Sequence, residues 1–315
     1  MRNRSYDVTI VVLTYNRWDC LRVMLAELRA IADLVHEVIV VDNHSTDGTA
    51  DLLSRDFPEF VHVRTERNLG VSARNLGIAR ATGATIITLD DDLLGLSPES
   101  LALVESEFAA HPELGALNFR VIDYYTRRVC NWVHHRNSTD SDQRFLSYEI
   151  TEGAVAFRRE AFVRSGGYYP RYFIGHEGPD LAFRMMNSGF TVEYDGRVSV
   201  LHKHEESTRT TWRFYYFDTR NHIWLVVRNM PLGYGIWFLV RGLGAMAAYS
   251  LRDGYFPWFA AGVHDAMVDL PAVIRTREVW THRTLDLCRD IDRHRPGFWT
   301  LVRQRLFRAG FRLDT

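Results

Sequence analysis

The chain has 315 residues, of which 46% are hydrophobic and 24% charged, and this balance excludes disordered, collagen-like and coiled-coil proteins. A formal net charge of −1 provides no global basic field of the kind that attracts nucleic acid. The three cysteines form no CxxC pair, so neither a disulfide framework nor a zinc knuckle is expected, and a reducing compartment is favoured.

Roughly the first hundred residues alternate between short β-branched runs and longer helical patterns, which is typical of βαβ units. Strands are predicted at 8–13, 38–41, 61–63 and 84–89, and the apolar run of the first predicts burial on both of its faces. Further along we expect, in chain order, a helix at 98–110, a strand near 116–121, an irregular loop at 123–148, a strand near 154–157, a helix near 180–187 and strands around 192 and 198–201. The predicted fold class is α/β, with a mostly parallel sheet flanked by helices.

Beyond Thr208 the pattern predicts helices to the end of the chain. The stretch 234–251 has about the length of a membrane span, but Arg241 at its centre would cost about 2.5 kcal/mol or more there, so we do not expect a span. The polar first residues do not resemble a signal peptide, which favours a cytoplasmic protein. The aromatic runs 236–240 and 255–259 suit a helix lying in a membrane interface at the inner face, and packing against the catalytic region or a second subunit stays open as an alternative.

Two further patterns are predicted to be coincidental. Gly242 to Ala247 spell a GxGxxG/A dinucleotide motif, but no predicted strand precedes them, so the glycines are expected to allow close helix packing. Asn137 to Thr139 spell a glycosylation sequon, and nothing in the sequence indicates secretion.

Polar residues follow the carboxyl ends of the predicted strands, where open α/β sheets bind ligands. Asp90, Asp91 and Asp92 end the fourth strand, and a divalent cation bridging to a diphosphate would neutralise such clustered charges. A solvated acidic turn is the alternative. Asp42 follows the second strand, where it could contact a bound ligand or cap the turn after the strand. Arg74 could contact a phosphate or form a salt bridge at the surface.

Several segments together carry a family resemblance: Thr14-Tyr15-Asn16-Arg17, Val40 to Thr49, Asn68-Leu69-Gly70 with Ala73-Arg74-Asn75, Leu89-Asp90-Asp91-Asp92, Gly166-Gly167-Tyr168 and Gly175 to Arg184. In order and spacing they resemble family 2 glycosyltransferases of the GT-A fold, in particular bacterial rhamnosyl- and galactofuranosyltransferases. The resemblance implies a GT-A catalytic domain at 1–229, with a nucleotide-binding half at 1–110 and an acceptor half at 111–229. The helical region 230–315 would follow.

The resemblance also implies roles for individual residues. Asp42 would contact the nucleobase of a UDP- or dTDP-sugar donor. The remaining donor contacts would come from Thr14, Asn16, Arg17, Asn68, Arg74, Asp90 and Asp91, and the ligands of a Mn2+ or Mg2+ ion from Asp90, Asp92 and His202. The acceptor would be a hydroxyl of a carbohydrate, a lipid-linked saccharide or a small molecule.

The sequence departs from the family at the expected catalytic loop. Family members commonly carry Glu-Asp-x-Asp-Leu there, whereas this chain has Glu177-Gly178-Pro179-Asp180-Leu181, so Gly178 replaces the usual second acid. An inverting transfer needs a carboxylate that takes the acceptor proton. Glu177 is the first candidate and Asp180 the second, although Asp180 is also suited to be the N-cap of the following helix.

Two other functions stay open at this point. A sugar-phosphate nucleotidyltransferase would carry a glycine-rich phosphate loop with a lysine after its first strand, and residues 14–20 have neither. The glycine at position 178 leaves a catalytically inactive nucleotide-sugar-binding protein as the second alternative.

Overall fold

The computed structural model of the chain describes residues 6–134, 141–204 and 212–306. Its helices and strands are, in chain order, β1 (Tyr6–Thr14), α1 (Trp18–Arg29), β2 (Val35–Asp42), α2 (Thr49–Asp56), β3 (Val61–Arg64), α3 (Arg74–Arg80), β4 (Thr85–Asp90), β5 (Leu93–Leu94), α4 (Pro98–Ala110), β6 (Leu114–Asp123), β7 (Arg144–Leu146), β8 (Ala154–Arg158), α5 (Arg159–Arg164), α6 (Glu177–Asn187), β9 (Thr191–His202), α7 (Trp212–Asn229), α8 (Leu232–Arg252), α9 (Phe256–Val268), α10 (Leu270–Ile274), α11 (His282–His294) and α12 (Phe298–Leu306). The glycosylation sequon at 137–139 lies outside the described residues.

The strands form one mixed sheet in the order β3-β2-β1-β4-β8-β6-β9-β5, with β7 paired to β9. The prediction of an α/β fold is confirmed, and the parallel pairing holds among β1 to β4 and between β6 and β9. Strand β8 runs antiparallel to both of its neighbours, β4 and β6. The two strands predicted around 192 and 198–201 are one strand, β9, whose pairing with β6 shifts register between Asp195 and Ser199.

Strand β1 lies at the centre of the parallel half, and its residues Val8, Ile10, Val11 and Val12 are completely buried. Side chains on one face pack among α1 and α4, and those on the other face pack towards α3 and α6. Because helices cover both faces, the strand is apolar along its length rather than alternating.

The pairing register brings the ends of three strands to one edge of the sheet. Thr14 pairs with Asp42 across β1 and β2, and Leu13 pairs with Asp90 across β1 and β4. On the other side of β4, the Asp90 N–H donates to the Gly153 carbonyl oxygen, 3.1 Å away, just before β8 begins. The antiparallel β8 therefore brings its leading loop to the same edge of the sheet.

The described residues after Thr208 are helical, as predicted. Gly242 of α8 lies against the His222 ring of α7, which confirms the packing role expected there, whereas Gly244 has no neighbour within 4 Å of the position where a Cβ would be. Within the described ranges, no helix combines the length and the apolar character needed to cross a bilayer.

Candidate active site at the strand ends

The three consecutive aspartates after β4 differ sharply in environment. Asp90 is 39% exposed at its side chain, whereas Asp91 and Asp92 are buried. Asp91 accepts a hydrogen bond of 2.7 Å from the Thr14 hydroxyl. Burial, opposed by the charge of Arg17, raises the pKa of Asp91 to about 7. Asp91, a predicted donor contact, therefore lies inside the protein, and of the three aspartates only Asp90 is substantially exposed.

Two arginines neutralise this acidic cluster. Arg17 lies 2.9 Å from Asp91 and 2.8 Å from Asp92, and Arg74, at the first position of α3, pairs with Asp90. The sequence argument assigned this neutralisation to a cation, but the protein's own arginines supply part of it. The guanidinium of Arg74 is almost completely buried, and its Nε has no hydrogen-bond partner.

Asp92 and His202 form the part of the site that suits a hard divalent cation. His202 ends β9, and its Nε2 lies 3.3 Å from Asp92 Oδ2. Although burial opposes the shift, the hydrogen bond from His202 and the charge of Arg17 lower the pKa of Asp92. The other polar atom of each side chain, Asp92 Oδ1 and His202 Nδ1, is buried without a hydrogen-bond partner. In the parts of the chain that the structure describes, no group of three or more acidic, histidine or cysteine side chains converges on one cation position. Two protein ligands completed by phosphate oxygens and water fit this arrangement.

Asp42 occupies the end of β2 with one oxygen held and the other available. Its Oδ1 accepts from the Ser45 N–H at 2.8 Å. Its Oδ2 lies 3.5 Å from Arg64 Nε but has no hydrogen-bond partner, although the residue is buried. A buried acceptor of this kind suits an N–H of a planar nucleobase.

Asn16 and Asn68, which were predicted to contact the nucleotide sugar, form hydrogen bonds that connect loops of the protein. The Asn16 amide oxygen accepts from the Thr46 N–H at 2.7 Å, which joins the β1–α1 loop to the β2–α2 loop. The Asn68 amide oxygen accepts from Gly70 N–H and Asn43 Nδ2, each at 2.9 Å. Both side chains position the loops around Asp42, and their direct contact with a donor stays a prediction.

A second group of polar side chains surrounds the N-terminus of α6, where Glu177 is the first helical residue. Glu177 is buried, and its Oε2 has no hydrogen-bond partner. Burial and the neighbouring carboxylate of Glu152 raise the pKa of Glu177 well above its usual range. Burial likewise raises the pKa of Glu152 to about 7. The Tyr168 hydroxyl is buried without a partner among the same charges.

Asp180, the second candidate for the base, has a different environment. It is completely buried, and its carboxylate accepts from Tyr172 Oη at 3.2 Å, Arg184 Nη2 at 2.7 Å, Arg228 Nη1 at 2.7 Å and Asn229 Nδ2 at 2.8 Å. Although burial opposes the shift, the charges of the two arginines lower the pKa of Asp180. The hydrogen bonds from Arg228 and Asn229 join α6 to α7, so the contacts of Asp180 stabilise the packing of the two helices.

The expectation that Asp180 caps α6 is wrong. The helix begins three residues earlier, at Glu177, and His176 precedes it in the left-handed conformation with φ 69°. Asp180 is therefore the fourth residue of the helix, and its own N–H donates to the His176 carbonyl oxygen. The N–H groups without an intrahelical partner precede it in the chain, so Asp180 is not the N-cap.

Sequence reasoning missed Glu152 and assigned no role to Tyr168. Asp90 ends an apolar strand, and Glu152 lies just before another one, β8. The sequence feature that could have indicated Glu152 is an acid followed by a glycine directly before an apolar strand. Its significance depended on the antiparallel pairing of β8 with β4, because that pairing carries the residue to the ligand-binding edge.

Comparisons with known proteins agree with this architecture. The family model described as glycosyl transferase family 2 matches residues 9–166. An uncharacterized protein of Haemophilus influenzae is 32% identical over 114 residues, which cover 34% of this chain and 60% of that protein. The N-acetylglucosaminyl-diphospho-decaprenol L-rhamnosyltransferase of Mycobacterium tuberculosis is 24% identical over 236 residues, which cover 63% of this chain and 76% of the relative.

Among solved structures, the mannosyltransferase PcManGT from Pyrobaculum calidifontis in complex with GDP-Man and Mn2+ is similar with a TM-score of 0.53 and 20% identity. The match covers 91% of this chain and 86% of that one. At this identity the likeness establishes a common GT-A fold.

Proposed function

Because this chain belongs to glycosyl transferase family 2, we propose that it is an inverting, metal-dependent enzyme that moves a sugar from a UDP- or dTDP-linked donor to an acceptor hydroxyl. Sugar transfer in glycan biosynthesis is the activity that its family and relatives support. The finer assignment is supported above all by buried atoms without a hydrogen-bond partner: Asp42 Oδ2, Asp92 Oδ1 and His202 Nδ1 near the strand ends, and Glu177 Oε2 at the start of α6. Unsatisfied buried polar atoms are costly, and a bound ligand would satisfy them.

The donor would lie across the carboxyl ends of β1, β2 and β4. Asp42 would accept a hydrogen bond from the base, and Arg74 with Asp90 would lie towards the ribose and diphosphate. Asp92 and His202 would hold the cation, which when bound stabilises negative charge on the diphosphate leaving group. The chain itself contributes Arg17, which keeps Asp91 and Asp92 in place.

Glu177 would be the general base of the transfer. The acceptor oxygen forms a bond to the anomeric carbon, the bond from that carbon to the diphosphate oxygen breaks, and the carboxylate takes the hydroxyl proton. Burial raises the pKa of Glu177, which makes it a stronger proton acceptor once it is ionised. The Asp180 carboxylate already accepts hydrogen bonds from four neighbouring side chains, so we do not assign it the proton.

A lipid-linked saccharide is the class of acceptor to test first. The Mycobacterium relative is named as an L-rhamnosyltransferase that acts on a diphospho-decaprenol-linked sugar, so dTDP-L-rhamnose is the first donor to test. Residues 1–229 would form the catalytic region, and helices α8 to α12 of the C-terminal region would lie next to the acceptor's membrane. The family assignment does not support the nucleotidyltransferase alternative.

A face of α8 supports peripheral contact with lipid. Leu232, Ile236 and Val240 follow one another at intervals of four residues, so they share one side of the helix, and all three are more than half exposed. Trp237 beside them is 62% exposed, and its ring is in contact with the Arg241 guanidinium. An apolar stripe with an adjacent tryptophan and arginine suits the boundary between headgroups and acyl chains.

Donor binding can be tested directly by thermal unfolding. The protein is screened against UDP-, dTDP- and GDP-sugars with Mn2+ and with EDTA, and nucleotide diphosphate release is followed in parallel. A donor present at one hundred times its Kd stabilises the native state by about 2.7 kcal/mol, which raises Tm by about 4 °C in a chain of this size. The proposal fails if no nucleotide sugar shifts Tm or is consumed, or if EDTA makes no difference.

A further inference from the structure

The position where this chain lacks the family's second acid is filled by a residue of the loop that precedes β8. Gly178 is the second residue of α6, and a Cβ placed on it would meet the Ile150 carbonyl oxygen and the Glu152 carboxylate, both closer than van der Waals contact. The Glu152 Oε1 lies about as far from that Cβ position as an aspartate's own oxygens lie from its Cβ. Glu152 therefore brings a carboxylate oxygen to the place that an aspartate at position 178 would supply.

The surroundings of Glu152 are those of a ligand site. Its carboxylate faces the Gly178 N–H at the start of α6, where a helix favours negative charge. Three buried side chains next to it each present a polar atom without a hydrogen-bond partner: Glu177 Oε2, Tyr168 Oη and Arg74 Nε. Electrostatic interactions link all four groups. Several unsatisfied groups around one carboxylate indicate a polar molecule that binds among them.

We propose that Glu152 is a catalytic carboxylate of this transferase, acting with Glu177 as a single proton-accepting pair at the acceptor hydroxyl. The inference rests on the proposed function and deepens it. As the acceptor oxygen bonds to the anomeric carbon, the electron pair of the breaking bond leaves with the diphosphate. The acceptor proton passes to the Glu152–Glu177 pair, whose carboxylates interact electrostatically, so that the pair as a unit gains one proton in the step.

In this chain the backbone N–H at position 178 and the carboxylate next to it come from two different residues, whereas an aspartate at position 178 would supply both. With Gly178, the helix supplies only an N–H and room, and the carboxylate comes from the loop that precedes β8. A side chain at 178 would push the Ile150–Glu152 loop away from α6. The position of the Glu152 carboxylate therefore depends on the absence of a side chain at Gly178.

A double-mutant cycle tests whether the two glutamates act as a unit. Glu152→Gln, Glu177→Gln and the double variant are assayed for release of nucleotide from the donor that binds in the thermal screen, with water or the acceptor as nucleophile. Each single variant is expected to lower kcat by about a hundredfold or more with little change in donor KM. The double variant should be no more than a few-fold slower than the slower single variant, because groups that act as a unit are not additive.

The controls separate catalysis from folding. Glu160→Gln, an exposed glutamate on α5, should leave kcat and Tm unchanged. Glu152→Asp retains the carboxylate and should recover at least tenfold of the lost kcat, which a purely structural role of the side-chain shape would not predict. It also keeps the test available if Glu152→Gln does not fold.

Two results would overturn the inference while leaving the proposed function intact. One is a folded Glu152→Gln variant that turns over within about threefold of wild type while Glu177→Gln is slow. The other is a double variant whose loss is the product of the single losses, since that shows independent roles. A wild-type protein that neither binds nor consumes any nucleotide sugar refutes the proposed function itself, and the inference with it.

Discussion

Replacing Asp180 by asparagine should damage the stability of the protein and leave its chemistry largely intact. The substitution keeps the size of the side chain but removes a charge that is completely buried and paired with Arg184 and Arg228. Removing one partner of a buried ion pair costs about 3 to 5 kcal/mol, because the opposite charge stays buried without compensation. For a chain of this size that corresponds to a fall in Tm of about 5 to 8 °C.

The assay compares Asp180→Asn with Glu177→Gln in the same two measurements, thermal unfolding and turnover at a temperature where both are folded. Asp180→Asn should melt about 5 to 8 °C lower and retain kcat within a few-fold, since the Asp180 carboxylate joins α6 to α7. Glu177→Gln should melt close to wild type and lose about two orders of magnitude in kcat. Glutamine is tolerated because Glu177 Oε2 has no partner to lose.

The opposite pattern would refute this reasoning. If Asp180→Asn unfolds at the wild-type temperature and has lost turnover, while Glu177→Gln is active, then Asp180 accepts the proton. The buried ion pairs would in that case have to rearrange when substrate binds.

Three further predictions concern metal, membrane and acid. Asp92→Asn should abolish the Mn2+-dependent part of the donor-induced Tm shift, because Asp92 Oδ1 is a buried carboxylate oxygen without a hydrogen-bond partner. Asp51→Asn on the exposed side of α2 should behave as wild type, and an Asp92→Asn variant that keeps the full Mn2+-dependent shift would contradict the metal assignment. In flotation with anionic liposomes at low salt, wild type should rise with the lipid and Trp237→Ser should do so much less, with Val163→Ser on α5 as the control; protein that stays with the aqueous fraction, or a concentration-dependent dimer that covers α8, would contradict lipid contact. Although burial opposes it, the charge of Arg295 lowers the pKa of Glu149 from 4.5 to about 2, so Glu149 stabilises the folded state above pH 4.5 and this contribution is lost as the pH falls towards 2. The difference in unfolding free energy between wild type and Glu149→Gln should shrink over that interval, and a constant difference would show that the carboxylate is not charged in the folded protein.

The sequence by itself determined the elements and the edge of the sheet at which the site lies. Runs of β-branched residues followed by helical periodicity predict parallel strands, and parallel strands end at the same edge. The positions of Asp42, Asp90 and Asp92 at strand ends follow from this local pattern, and the pairing of Thr14 with Asp42 agrees with it. The separate motifs, taken in order, also identified the family that the comparisons confirm.

Tertiary structure decided which charges compensate each other. Arg17 lies more than seventy residues from Asp92 in the chain, and no periodicity predicts that their side chains pair at 2.8 Å. The same holds for Asp180, whose partners Arg228 and Asn229 come from a helix nearly fifty residues later. Its role changed from a predicted cap to a buried ionic contact because α6 begins earlier than the sequence suggested.

The acceptor side of the site depended on pairing that the sequence pattern does not encode. An apolar run such as 154–158 is compatible with parallel or antiparallel neighbours, and only the observed antiparallel pairing brings Glu152 next to α6. In the sequence, Gly178 indicated a missing acid. In the fold, Gly178 leaves the space that the Glu152 carboxylate from the loop before β8 occupies. Side-chain proximity is set by long-range packing, whereas local sequence sets only secondary structure and its period.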